Sequence, residues 1–194
     1  MTGNEALQDS AGHGPVAEHP QWSPYQVRPI ATAAEQAEAH ALIEDRTCWL
    51  AKRNLHALPT ATGLPADESN VTAIGMFEDD VLIGCLALHH NPSLLAITRA
   101  YGQFGADFAR LATLWAADYA ARCGVDAVRT VVIGPFAARH RLETHLTDLG
   151  WSLASHSEES AWLQLTAEAR PTLTALIRCA VPLSENTHTL WSTP

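Results

Sequence analysis

The pattern of hydrophobic and polar positions predicts one ordered domain that begins after a polar arm. Residues 1–24 are rich in Gly, Ser, Pro and charged residues and have no periodicity, which is typical of a mobile arm. Tyr25–Ile30 alternates as a strand does. An apolar stripe from Ala33 to about Leu58 predicts one helix, or two with a break, and residues 59–69 predict a loop.

The clearest local signal is a β-hairpin. Val71–Phe77 alternates, residues 78–80 form an acidic turn, and Val81–Leu88 is apolar on both faces, as a central strand is. A strand, a helix, a strand, a helix and two paired strands follow, at Ser93–Thr98, Asp107–Arg122, Asp126–Ile133, Ala138–Leu149, Trp151–Ser155 and Ala161–Thr166. A strand–helix–strand unit within an antiparallel meander predicts an α/β (α+β) domain with a mixed, mostly antiparallel sheet flanked by helices.

Length and composition agree with a single globular domain. The 194 residues are 47% hydrophobic and 17% charged, which excludes a disordered chain. We place the domain at 25–170 and a C-terminal extension at 171–194. No window has the roughly 18 apolar residues of a membrane span, and the first twenty residues lack a secretory pattern, so we expect a cytoplasmic protein with no membrane partner.

The charge distribution bears on possible partners. Twelve basic against 21 acidic residues give a net charge of −9, which argues against a nucleic-acid partner. Six of the basic residues lie between Arg99 and Arg141, where the local net charge is +3. Two interpretations stay open: this stretch lines a site for an anion, or its arginines are solvated at the ends of helices and strands.

Cysteine and histidine give no metal or disulfide pattern. The four cysteines are far apart and form no C-x-x-C pair, so we expect free thiols. His89 and His90 are adjacent, whereas two ligands on one helix face need a spacing of three or four. We therefore expect no metal.

Three stretches resemble one family. Val81–Leu86 matches a hydrophobic–hydrophobic–G–x–hydrophobic strand pattern, Leu94–Gly124 resembles a strand, cofactor turn and helix, and Arg141–Trp151 resembles a last helix with an x-x-Y-x-x-x-G-F ending. Together they are similar to the GCN5-related N-acetyltransferases (GNAT), over Tyr25–Thr166.

The resemblance implies an enzyme that transfers an acetyl or other acyl group from a coenzyme A thioester to the amine of a small molecule. It also implies that the strands at Leu94–Arg99 and Val128–Ile133 are neighbours that splay apart, with the pantetheine arm between them and the pyrophosphate at the following helix N-terminus. The cofactor-binding residues would be Ile97, Thr98, Arg99, Gly105, Ala106, Asp107, Phe108, Ala109 and Arg110.

The cofactor turn departs from the family pattern. Asp107 stands where the family has its central glycine, and a carboxylate that caps this helix would occupy the anion site. One interpretation is that the acyl donor is the phosphopantetheine of an acyl carrier protein, which has no diphosphate. Such an acidic partner would dock on the arginines between Arg99 and Arg141.

The candidate catalytic residues are those whose side chains can donate or accept a proton during acyl transfer. The family's usual tyrosine aligns with Leu146, so Tyr101 and His145 are the candidate acids, while His89 and His90 are the candidate bases. The first helical region would line the acceptor pocket, with Trp49, Arg53 and His56 shaping specificity. The alternative is a non-catalytic module of this fold, used for binding or assembly, that has lost coenzyme A binding. The sequence leaves open a homodimer.

Overall fold

The computed structural model describes residues 24–53, 71–91 and 94–182. In this part of the chain one eight-stranded sheet is flanked by three α-helices and a 3₁₀ turn at Pro171–Ala175. The elements in chain order are β1 Tyr25–Pro29, α1 Ala33–Ala51, β2 Val71–Glu78, β3 Val81–Asn91, β4 Leu94–Gly102, α2 Phe108–Arg122, β5 Ala127–Ile133, α3 Phe136–Asp148, β6 Ser152–His156, β7 Ser160–Thr166 and β8 Ile177–Cys179.

The sheet is mixed and mostly antiparallel. Its strand order is β6-β7-β5-β4-β3-β2-β1-β8, and only the β4–β5 and β1–β8 pairs are parallel. The β4–α2–β5 unit supplies the central parallel pair, because a parallel connection needs a crossover element. The predicted mixed sheet flanked by helices is confirmed.

The β2–β3 hairpin forms where the sequence pattern places it. Asp79 and Asp80 have φ angles of 49° and 65°, and two consecutive positive φ angles define the tight turn that matches the twist of paired strands. Every residue of β3 from 82 to 88 is buried, which explains why the sequence is apolar on both faces there.

Helices cover both faces of the sheet. On one face, α1 buries Ala39 and Ile43 against Phe77 and Cys85. On the other face, α2 packs its Trp115 and Tyr119 into a larger core that includes Leu86, Leu88, Ile97 and Val128. The active-site candidates are therefore divided between an α1 face and an α2 face.

Some elements differ in extent from the sequence prediction. β4 continues past Thr98 to Gly102, because both Tyr101 and Gly102 still pair with β3. β8 lies in the segment set apart as a C-terminal extension, and it pairs with β1 as an eighth strand. Residues 1–23 of the predicted arm, the predicted helical residues 54–58, the whole predicted loop at 59–69 and the tail from 183 lie outside the described residues. No helix in the described part is long and apolar enough to span a bilayer.

Candidate active site

The central feature of the site is the divergence of β4 and β5. The two strands pair only over three rungs, from Leu95–Val128 to Ile97–Thr130. Beyond that point β4 stays paired with β3 through Gly102, and β5 stays paired with β7 through Ile133. Each strand therefore keeps its outer neighbour while the inner edges separate, which leaves a wedge-shaped gap in the middle of the sheet.

A hydrogen bond closes the narrow end of this gap. The Thr130 hydroxyl donates to the Ile97 carbonyl at 2.9 Å, on the last rung that the two strands share. The side chain thus joins the two strands at the residue pair where their parallel ladder stops.

A β-bulge in β4 sets which side chains face α1. Arg99 has a φ of 56°, and the register with β3 shifts so that Thr98 lies opposite Ala87 while Tyr101 lies opposite Cys85. Since Cys85 and Ala87 are two residues apart in a strand, their partners Thr98 and Tyr101 share one face. Tyr101 packs with the α1 core, so this face is the α1 face.

Two candidate catalytic residues lie on the α1 face. The His89 Nε2 lies 2.9 Å from the Thr98 Oγ1, which holds the imidazole ring beside the residue that follows the last β4–β5 rung. Tyr101 is half-buried, and burial is the main cause that raises the pKa of its hydroxyl above the ordinary value. A phenol that stays protonated at neutral pH is suited to donate a proton.

The other two histidine candidates lie elsewhere. His90 points to the α2 face, where its ring is edge-on to Tyr119 at 6.1 Å, and burial lowers the pKa of its imidazole. His145 is exposed on α3, while its neighbour Leu146 packs against the core and has no proton to donate. Of the four candidates, His89 and Tyr101 share the α1 face, and Tyr101 pairs with Cys85, which lies four residues before His89 in β3.

The turn after β4 leads directly into α2. The Gln103 N–H donates to the Ile83 carbonyl at 2.9 Å and its side-chain amide donates to the Leu82 carbonyl at 2.6 Å, so the start of the turn is fixed to β3. Gly105 has a φ of 82°, and a Cβ there would meet open space. The turn is therefore uncrowded at the point where an anion would approach.

Phe108 anchors the first turn of α2 on two glycines. Gly84 and Gly102 are register partners, and a Cβ on either one would lie within 2.6 Å of the Phe108 side chain. The absence of side chains at both glycines lets the helix start lie directly on β3 and β4. The backbone N–H groups of this first turn, at Phe108, Ala109 and Arg110, have no partner within the helix.

The structure corrects the expectation that Asp107 caps this helix. Asp107 occupies the N-cap position, but its φ and ψ of −81° and 43° are not those of a capping residue, and its side chain makes no cap hydrogen bond. The carboxylate is 73% exposed and lies 4.0 Å from the Arg110 guanidinium. It therefore does not occupy the end of the helix, and this argument against a diphosphate at α2 falls away.

Two of the six arginines between Arg99 and Arg141 make close interactions within the fold. Arg122 pairs with Asp118 at 2.9 Å, and Arg139 is buried and donates to the Glu158 carbonyl at 2.5 Å. Arg110 lies beside Asp107. Arg122 and Arg139 are thus engaged within the fold, whereas Arg110, Arg129 and Arg141 are exposed, and the docking of a carrier protein stays a prediction.

A cavity opens between α1 and the ends of β3 and β4. Its volume is about 470 Å³, and its lining includes Leu42 and Arg46 of α1, Leu82 of β3, and Gln103 and Phe104 of the turn. Gly102, the residue next to Tyr101, also lines it. This cavity lies on the wall that the sequence assigns to the acceptor.

The substrate candidates lie at the rim of this cavity. The Trp49 and Phe104 rings pack at a tilt with their centres 4.9 Å apart, and the Arg53 guanidinium lies 3.9 Å from the centre of the Trp49 ring. His56 lies outside the described residues. Sequence reasoning missed Arg46 and Phe104. The spacing of Arg46, Trp49 and Arg53 at i, i+3 and i+7 marks one helix face, but nothing local in the sequence indicates that Phe104 meets it.

No group of three or more histidine, cysteine or acidic side chains in the described ranges is arranged to hold a metal ion. Cys85 is buried, and burial raises the pKa of its thiol to about 12. A thiol in this state is protonated at neutral pH, so Cys85 is core filler and not a nucleophile.

Comparison with known proteins identifies the fold. No protein-family model matches the chain, and no curated protein matches it by sequence. Among solved structures, it is similar to a GNAT-family acetyltransferase from Listeria monocytogenes, with a TM-score of 0.56 and 13% identity over 73% of this chain and 94% of that one.

Two further solved structures have the same architecture. Spermidine N-acetyltransferase from Vibrio cholerae, in complex with CoA and spermine, has a TM-score of 0.53 and 12% identity, over 74% of this chain and 96% of that one. FeeM, an N-acyl amino acid synthase from uncultured soil microbes, has a TM-score of 0.50 and 11% identity, over 74% of this chain and 91% of that one. At such identities the likeness concerns the fold, and the chain has the GNAT fold, as the sequence predicted.

Proposed function

We propose that this protein is an N-acyltransferase that moves an acetyl or other acyl group from coenzyme A to the amine of a small molecule. The observation that carries the proposal is the divergence of β4 and β5 after the Ile97–Thr130 rung. Strand edges that separate inside a sheet expose backbone donors and acceptors, which an extended amide-containing chain such as pantetheine satisfies. The names of the spermidine N-acetyltransferase and the N-acyl amino acid synthase both describe acylation of nitrogen.

The residues present fit the donor. The wide end of the gap faces the turn at 103–107, and the N-terminus of α2 has free N–H groups without a side-chain cap. Gly105 leaves space beside the turn, and Arg110 in the first helical turn is exposed. These features favour a diphosphate at the start of α2 and coenzyme A as donor over a carrier-protein phosphopantetheine.

The proposed chemistry needs two proton transfers. The donor supplies an acyl group activated as a thioester. His89 takes the proton of the attacking amine, directly or through water, and its Nδ1 has no hydrogen-bond partner among the described residues. Tyr101 donates its hydroxyl proton to the departing sulfur. Binding both substrates on one side of β4 supplies much of the rate by proximity.

A binding experiment tests the proposal. Thermal unfolding with acetyl-CoA at about 100 times its Kd should raise the free energy of unfolding by about 2.7 kcal/mol. Longer acyl-CoAs and an acyl-loaded carrier protein, tested alongside, determine which donor binds. Thiol release with a panel of primary amines then measures transfer. Failure to bind any of these donors would favour the non-catalytic module, which has lost coenzyme A binding.

A matched pair of variants localises the donor. Ala109 lies in the first turn of α2 and Ala121 in the last, and both are half-buried. Ala109→Glu places a negative charge where the diphosphate would bind and should weaken acetyl-CoA binding at least about tenfold. Ala121→Glu should leave it unchanged. Equal effects of the two substitutions would contradict a diphosphate at the start of α2.

A further inference from the structure

The rim of the α1 cavity holds two arginines on aromatic rings. The Arg46 guanidinium lies 4.5 Å from the centre of the Trp49 ring and 4.4 Å from that of Phe104. Arg53 lies 3.9 Å from the Trp49 ring. Trp49 and Phe104 also contact each other, so α1 and the turn after β4 form one cluster that we call the Arg46 cluster: Arg46, Trp49, Arg53 and Phe104.

The cations of this cluster have no carboxylate close enough for an ion pair. In the described ranges no acidic oxygen lies within 4.0 Å of Arg46 or Arg53, although Asp45 is near enough to interact with Arg46 electrostatically. Burial lowers the pKa of Arg46, and the charge of Asp45 opposes this effect more strongly than the charge of Arg53 adds to it. A partly buried guanidinium on apolar rings is incompletely solvated, and an anion that reached Arg46 would offset this cost.

The geometry suits a carboxylate. A guanidinium offers parallel N–H donors that match the two oxygens of a carboxylate, and stacking on a ring leaves those donors free at its edge. Because Trp49 and Phe104 hold Arg46 from two elements, the guanidinium is oriented before a ligand arrives, which lowers the entropy lost on binding.

The rest of the cavity carries the opposite charge. Glu38 and Asp45 line it, and Glu38 lies two helical turns, or about 12 Å, from Arg46 along α1. A simple anion would be repelled by these carboxylates. Asp45 lines the cavity and interacts electrostatically with Arg46, so a molecule whose ammonium lies near its carboxylate would instead find a partner for each charge.

We infer that the Arg46 cluster binds a carboxylate of the amine acceptor, so that this protein acylates amino acids or similar carboxylated amines. The inference rests on the proposed function and adds the class of acceptor. The apolar wall at Leu42 and Leu82 contacts the acceptor's carbon skeleton. The cavity is lined by Gly102, which places the acceptor beside Tyr101 in β4.

The test compares amino acids with their amides, which keep the amine and the side chain but lose the anionic charge. Thiol release from acetyl-CoA should show about 10- to 100-fold higher kcat/KM for the amino acids. Arg46→Gln should remove this preference, lowering kcat/KM for the acids and not for the amides. Arg46→Lys keeps the positive charge but loses the parallel N–H donors of the guanidinium, so its preference for the acids in kcat/KM should lie between those of the wild type and Arg46→Gln. Arg178→Gln, at an exposed arginine on β8, is the control.

The outcomes separate the acceptor assignment from the proposed acyl transfer. Equal use of acids and amides, or a loss in Arg46→Gln that affects both alike, overturns the acceptor assignment and leaves acyl transfer standing. If Arg46→Gln raises the KM for acetyl-CoA and not the KM for the acceptor, the Arg46 cluster binds the donor, and the acceptor assignment is overturned. Thermal unfolding checks that each variant is folded.

A second measurement does not need turnover. Saturation-transfer NMR with the same amino acids and amides detects weak binding to the full-length protein. Amino-acid signals that exceed those of the amides and vanish in Arg46→Gln support the carboxylate site even if no acyl transfer occurs, in which case only the proposed function fails. The absence of such a difference overturns the inference.

Discussion

The Thr130 hydroxyl donates to the Ile97 carbonyl at 2.9 Å, on the last rung that β4 and β5 share before they separate. Ile97 is buried, and its carbonyl lies at the narrow end of the proposed pantetheine gap. The bond therefore lies where the gap begins, and it adds a side-chain contact to the last rung of the strand ladder.

Replacing Thr130 with valine tests this bond. The substitution keeps the side-chain shape and removes the donor, so we expect the free energy of unfolding to fall by about 1 kcal/mol in urea titration. Thr147→Val is the control, because the Thr147 hydroxyl only bonds the Glu143 carbonyl in its own exposed helix turn. If both variants lose the same stability, the Thr130 bond has no special role.

The contact of Phe108 with two glycines predicts a pair of compensating substitutions. A Cβ on Gly84 would lie 2.1 Å from the Phe108 ring, so Gly84→Ala should lower the free energy of unfolding by about 1–3 kcal/mol. Combining it with Phe108→Leu should cost less than the sum of the two single changes, because the smaller side chain leaves room for the added methyl. Simple additivity in denaturant titrations would contradict this packing.

Tyr101 predicts a specific loss of activity. If its hydroxyl is the proton donor, Tyr101→Phe should lower kcat about 100-fold with little change in the KM for acetyl-CoA. Tyr119→Phe is the control, since the Tyr119 hydroxyl donates to the Pro182 carbonyl and α2 packs on the opposite face of the sheet. That variant should lose stability and retain activity. A Tyr101→Phe enzyme with normal kcat would remove Tyr101 from the mechanism.

The pH profile adds an independent check on Tyr101. Its pKa is raised above 10, mainly by burial, so the phenol stays protonated through the neutral range. A raised folded-state pKa contributes stability that is present below pH 10 and is lost as pH rises through the folded value. We therefore expect alkaline unfolding above pH 10 to be less steep in Tyr101→Phe than in the wild type.

The lowered pKa of Glu35 predicts how the free energy of unfolding falls at acidic pH. Its carboxylate accepts from the Thr32 N–H and the Arg28 guanidinium, which lower its pKa to about 2. A lowered pKa contributes stability that is present above the unfolded value and is lost as pH falls from about 5 to 2. Glu35→Gln should lower stability at pH 7 by about 1 kcal/mol and flatten this dependence, because a neutral amide oxygen accepts the bonds from Thr32 and Arg28 more weakly than a carboxylate does. Equal slopes in chemical denaturation at pH 3–7 would contradict it.

Much of the fold is readable from local patterns. The acidic turn at Asp79 and Asp80, the apolar run from Leu82 to Leu88 and the apolar stripe of α2 each specify their element, because burial of one face requires a fixed periodicity. The order of the elements then indicated the mixed sheet, since a strand–helix–strand unit needs a parallel pair.

The site depended on contacts that local patterns do not record. The bulge at Arg99 brings Thr98 and Tyr101 onto one face, although plain alternation would separate residues three apart. Asp107 has a residue type common at helix caps, yet its backbone conformation turns the carboxylate toward solvent. Neither fact is visible in sequence spacing, because each depends on how β3 holds β4 and the turn.

The sequence by itself determined most of the elements, their order and the face that most of them bury, since these follow from periodicity and residue type along a short stretch. The tertiary structure alone decided that Phe104 meets Arg46 and Trp49, which lie on a helix more than fifty positions earlier in the chain. That contact forms because strand pairing across the whole sheet brings the end of β4 beside α1, and such long-range pairing leaves no local signature.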